Sequence, residues 1–152
     1  MVEGRTLVGM SVAVPLSELR EELEERSYSG YLLTVSDGRP HCVAVALSWE
    51  GDELSMAAGR TSVRNAAEGR TVALLLPPAS GPPTRDAGDG EAGYSLIVDA
   101  EVTATAEPHE TGGGPSSLRV RPTHAVLHRP AVTPDGSRLH DCVHVYDESA
   151  TG

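Results

Sequence analysis

Two runs rich in β-formers meet at Asp37-Gly38, and this pair constrains the fold more than any other feature of the sequence. Asp and Gly both tolerate φ > 0, the conformation that the central positions of a two-residue hairpin demand. The run before it, Gly30-Tyr31-Leu32-Leu33-Thr34-Val35-Ser36, is therefore expected to pair antiparallel with residues 40–49. In that partner Cys42, Ala44, Ala46 and Ser48 alternate with His41, Val43, Val45, Leu47 and Trp49. Small or apolar groups on both sides predict a strand buried on both faces, with Cys42 a small core residue. Glu50-Gly51-Asp52 is a second turn, leading to a third strand over residues 53–58.

The rest of the chain extends this β pattern. Residues 1–11 show no firm periodicity and read as an arm. Pro15 suits a first helical position, and Leu16, Leu19 and Leu23 follow at i, i+3 and i+7, predicting a helix over 16–26 with one buried stripe. Residues 71–76 read as a strand, while 77–93 are rich in Pro, Gly, Ala, Ser and Asp and read as a long mobile loop. The run 94–106 is a strand in whose second half Ala100, Val102 and Ala104 oppose Glu101, Thr103 and Thr105, giving one wet face. The run 118–128 is a further strand in which Pro122 marks an edge or a bulge. The expected organisation is one domain over 12–128 and a flexible tail over 129–152. Mainly antiparallel β with accessory helices must close or pack as a sandwich to hide its edges, and closure into a small barrel is the favoured form.

Between the third and fourth strands lies Gly59-Arg60-Thr61-Ser62-Val63-Arg64-Asn65, with the makings of a helix N-terminus. Gly59 lets the chain leave the strand, Thr61 or Ser62 can cap the exposed amides, and Arg60 and Arg64 bring positive charge to the same end. The stretch reads as an anion seat, the plainer alternative being a capped crossover helix with solvated arginines.

A formal net charge of −10 argues against a nucleic-acid surface or an anionic membrane as partner, so an anionic ligand must find a local pocket. Five of the 22 acidic residues fall in the 18–25 segment, the solvated face of the first helix. Two distant cysteines, and an N-terminus without a basic start and apolar run, predict a reduced cytoplasmic protein.

The order of elements, together with Gly30-Tyr31-Leu32-Leu33-Thr34-Val35, Gly38-Arg39-Pro40-His41-Cys42-Val43-Ala44-Val45, the Gly59–Asn65 crossover and Glu68-Gly69-Arg70-Thr71-Val72-Ala73-Leu74-Leu75, resembles the flavin-binding split-barrel proteins of the pyridoxamine 5'-phosphate oxidase type. The likeness covers about residues 16–106. It implies a split β-barrel and a homodimer holding FMN, or in one branch the deazaflavin F420, in a groove at the subunit interface. It further implies that Val43, Ala44, Val45, Ala46, Leu47 and Ser48 lie along the ring, Met56 and Ala57 beside it, and Arg60, Thr61, Ser62, Arg64 and Asn65 around the phosphate. Where the oxidases carry Arg and Lys at the two ends of the ring-contacting strand, this chain has Val43 and Ser48. Their Arg-Lys pair before the helix is Thr61-Ser62 here, and their C-terminal substrate motif is not recognisable. The resemblance therefore implies a flavin-type cofactor and an unknown small-molecule substrate rather than pyridoxamine phosphate oxidation.

The rival reading is a non-catalytic module that keeps the barrel and binds heme or another planar ligand. His140-x-Cys142-x-His144 puts three metal-capable groups on one strand face but lacks a fourth ligand and the usual paired spacing, so it is read as incidental. His41, His124 and His128 are read as partly buried strand residues.

Overall fold

The computed structural model describes residues 11–78, 93–108 and 114–129, together with the backbone of two short strands beyond them. A two-residue strand β1 (Val12–Ala13) precedes a 3-10 turn (Leu16–Glu18) and helix α1 (Leu19–Glu25). Strands β2 (Ser29–Ser36), β3 (Arg39–Ala46), β4 (Ser48–Glu50) and β5 (Glu53–Ala57) follow. Helix α2 (Arg60–Gly69) then leads to β6 (Thr71–Leu76), β7 (Ser95–Ala106) and β8 (Ser117–His128). Strands β9 (Ala131–Val132) and β10 (Arg138–Leu139) pair with each other. The expected loop over 77–93 lies outside the described residues from 79 to 92. So do most of residues 1–11, most of the tail beyond 129, and the whole His140-x-Cys142-x-His144 motif.

The strands hydrogen-bond in the order β3-β2-β6-β7-β8-β5-β4, with β1 on β8, and every pairing is antiparallel. The two ends of this order, β3 and β4, are consecutive in the chain and separated only by Leu47. The sheet thus closes on itself through a bend at one residue, and the fold is the expected mainly β split barrel with accessory helices. Asp37 (φ 49°) and Gly38 (φ 72°) make the hairpin turn that the sequence predicts.

Closure needs local coiling, which two β-bulges supply. On β8 Thr123 is skipped as the register passes from Asp99↔His124 to Ala100↔Pro122, and its hydroxyl donates to the Asp99 carbonyl at 3.1 Å. On β7 Thr103 is skipped between Val102↔Val120 and Ala104↔Arg119, and its single hydroxyl proton is shared between the Arg119 carbonyl at 3.1 Å and the Glu53 carboxylate. Pro122, which has no N–H for a ladder, sits beside the first bulge, the second of the two placements its sequence allows.

The interior is Leu and Val: Leu32, Leu54, Leu74, Leu96, Val98 and Val120 are fully buried, and Leu19, Leu23 and Ala66 of the helices join the same cluster. Removing each such leucine from water contributes about 1.5–3 kcal/mol. Leu16 does not complete the stripe; it is 47% exposed, because the first turn winds as a 3-10 helix and sets it on the rim.

The second correction concerns the run 40–49, which divides into β3 and β4 at Leu47 and is buried on one face only. Val45 and Leu47 point inward while Cys42, Ala44, Ala46 and Ser48 are exposed. A closed barrel has a single interior, so an outer face stays open unless a helix or another chain lies on it. His124, expected to be partly buried, is exposed for the same reason, whereas His41 and His128 are half-buried.

Helix α2 ends without a glycine at the left-handed position. Gly69 falls one residue early, and Arg70 takes φ 64° while its N–H donates to the Ala66 carbonyl at 2.9 Å.

Candidate functional site

A groove of about 320 Å³ opens where β4 and β5 meet the ends of β7 and β8. Ala46, Ser48, Met56 and Ala57 line it, four of the residues expected to contact a planar ring. Its other walls come from residues that the sequence did not single out, among them Ser55, Ala104, Ala106 and Arg119. The run Ala104-Thr105-Ala106 was the available signal: small residues on a strand leave room for something else. The Ser48 and Ser55 hydroxyls face each other at 2.9 Å across the β4–β5 pair, so the groove wall carries a donor and an acceptor side by side.

Charge at the groove is balanced within the barrel. Arg119 pairs with Glu50 at 2.7 Å and lies 3.7 Å from Glu53, which also takes Arg121 at 2.9 Å and the Thr103 hydroxyl at 3.0 Å. The arginines are about half exposed, so these pairs orient side chains more than they stabilise the fold.

The remaining expected residues separate by strand and helix periodicity. Val43, Val45 and Leu47 turn to the interior, and Ala44 lies on the outer face beside Tyr31, with which it is in register. Side chains alternate between the two faces of a strand, which is why the continuous run 43–48 divides, and why Met56, although it borders the groove, has its side chain in the core cluster at 4% exposure. On α2, Arg60, Thr61 and Arg64 are exposed, and Arg60 and Arg64 at i and i+4 share a face. Ser62 and Asn65 are turned onto the sheet, at 1% and 7% exposure, and the Asn65 carboxamide donates to the Thr34 hydroxyl at 3.3 Å. Ser62 Oγ is buried without a partner among the described residues.

The expected side-chain cap is replaced by Gly59. It occupies the N-cap position with extended backbone, and Thr61 and Ser62 lie inside the helix. The first-turn amides of α2 thus face no capping side chain from the N-cap residue. Gly59 follows groove-lining Ala57 by two residues, and the intervening Ala58 N–H is tied to the Ser116 carbonyl at 3.0 Å.

Among the described residues no helix is long and apolar enough to cross a membrane. No protein-family model matches the sequence, and no curated protein matches it either. Solved structures do. An F420 reductase is 23% identical, covering 69% of this chain and 94% of its own, with a TM-score of 0.50. A candidate pyridoxamine 5'-phosphate oxidase from Listeria innocua is 13% identical over 74% of this chain and 98% of its own, with a TM-score of 0.52. A FAD-binding protein from Mesorhizobium loti is 11% identical over 78% of this chain and 95% of its own, with a TM-score of 0.53. What this chain shares with them at such identities is the split-barrel fold.

Proposed function

We propose that this chain is a flavin-type cofactor-binding protein that takes FMN, or alternatively F420, in the groove of Ala46, Ser48, Met56 and Ala57, and that it acts as an oxidoreductase on a small molecule. The observation that carries the reading is the passage from this groove of small side chains, within two residues, into the N-terminus of α2, where the cap is glycine. The fold shared with an F420 reductase and a FAD-binding protein adds to it.

The residues present suit such a group. The methyl side chains of Ala46 and Ala57 leave width for a flat ring, and the Ser48–Ser55 pair can donate or accept at a ring edge. The first-turn amides with Arg60, Thr61 and Arg64 would hold the phosphate. When bound, the cofactor supplies hydride or electron transfer, and the protein's part is to bind, orient and exclude water. The exposed outer face of β2 and β3, with Tyr31 42% exposed beside Ala44 and Val35 58% exposed opposite Pro40, is suited to a second copy of this chain, which would close the groove from outside.

The test is spectroscopic. Purified protein is titrated with FMN and with F420, each against its phosphate-free analogue, and the absorption is followed across the flavin, deazaflavin and heme bands. Saturable binding of either cofactor, weakened when the phosphate is absent, is the expected result. Failure of both to bind, or a response to heme alone, overturns the flavin reading.

A further inference from the structure

A second hollow lies on the other side of the β4–β5 hairpin from the groove, bounded by the 3-10 turn and the Pro122 bulge. At about 420 Å³ it exceeds the groove, and Leu16, Arg20, Trp49, Asp52, Arg121 and Pro122 line it. Three features need explaining together. Leu16 presents an apolar side chain to its rim, 47% exposed. The Trp49 indole N–H is buried with no hydrogen-bond partner among the described residues, although buried indoles usually find one. Of the two guanidiniums, Arg121 is compensated by Glu53 at 2.9 Å, whereas Arg20 stacks on the Trp49 ring at 4.6 Å and has no carboxylate partner among the described residues.

We propose that this hollow is a binding site for a small organic monoanion with an apolar body, a carboxylate being the matching head group. One carboxylate oxygen accepts from the indole N–H of Trp49, the Arg20 guanidinium leaves the ring face to pair with the same group, and the hydrocarbon part covers Leu16 and Pro122. A carboxylate supplies together what the three features lack: an acceptor for a donor-only indole, a counter-charge for Arg20 and apolar cover for Leu16. Asp52 in the lining opposes negative charge in proportion to its amount, so a dianionic phosphate is disfavoured more strongly than a monoanion. The site stands apart from the flavin reading, since it shares no lining residue with the groove.

The chain has a single tryptophan, so its indole N–H gives one resonance in a nitrogen–proton correlation spectrum of isotope-labelled protein. Phenylacetate and its neutral isostere phenylacetamide serve as probes. Phenylacetate is expected to shift this resonance downfield saturably, with the amide about tenfold or more weaker, because a charge-assisted contact is lost. Arg20→Gln should weaken phenylacetate by a similar factor while leaving the circular-dichroism melt and the FMN titration unchanged. An indole resonance unmoved by millimolar phenylacetate, equal responses to acid and amide, or an Arg20→Gln variant that binds like wild type each overturns the proposal.

Discussion

The Leu47 N–H donates to the Tyr28 carbonyl at 2.8 Å, tying the bend that closes the barrel to the segment that ends α1. Leu47 separates β3 from β4, and at this point the chain leaves its pairing with β2 and turns towards β5. The bond satisfies an amide that neither ladder uses. Tyr28 is held at φ 54°, so a residue in an uncommon conformation anchors the closure. The groove begins on either side of this bend, at Ala46 and Ser48.

Gly30 is the position least able to accept a side chain. A Cβ there would stand 2.6 Å from the Leu75 carbonyl oxygen and 2.8 Å from Leu76 Cγ, and the first of these is backbone within the β2–β6 pairing. Gly30→Ala is expected to destabilise the fold by about 2–3 kcal/mol through overpacking, read as a lower urea midpoint. A midpoint equal to that of wild type would show that β2 and β6 separate freely.

Arg70 offers the opposite change. A side chain held at φ 64° costs free energy that glycine does not incur, so Arg70→Gly is expected to stabilise the protein by about 0.5–1 kcal/mol. Thermal melting should rise. A lower melting temperature would mean that the arginine makes a contact outweighing its backbone strain.

The outer face of β2 and β3 bears on assembly. Sedimentation is expected to show a dimer, and Ala44→Glu, at an exposed position opposite Tyr31, to convert it to a folded monomer, since two like charges would meet where small residues pack. A wild-type monomer at micromolar concentration, or a dimer indifferent to Ala44→Glu, would remove this face from the interface.

Arg64→Ala tests the anion seat. Loss of one charge-assisted contact, about 1.5–3 kcal/mol, should weaken FMN or F420 by roughly tenfold to a hundredfold. The exposed side chain on α2 contributes little to folding, so the urea midpoint should hold. Unchanged affinity, or equal loss with the phosphate-free analogue, would reduce the stretch to a crossover helix.

What could be read from the sequence was whatever local rules govern. The Asp37-Gly38 turn, the strand β6, the helix beginning near Arg60 and the bulge at Pro122 follow from φ preferences, period-two alternation and the missing proline N–H, all properties of a few neighbouring residues. Part of the groove was legible too, since Ala46, Ser48, Met56 and Ala57 lie on strands that the sequence marks. Which side of a strand is covered is a different kind of fact. Cys42 is exposed, Ser62 and Asn65 are buried, and Trp49 meets Arg20 only because pairings between distant segments, such as Leu54 with Val120 and Val12 with Leu127, choose which face becomes the single interior of the barrel. Alternation names two faces without ranking them when both carry small side chains, and on β3 only closure of the barrel breaks that tie.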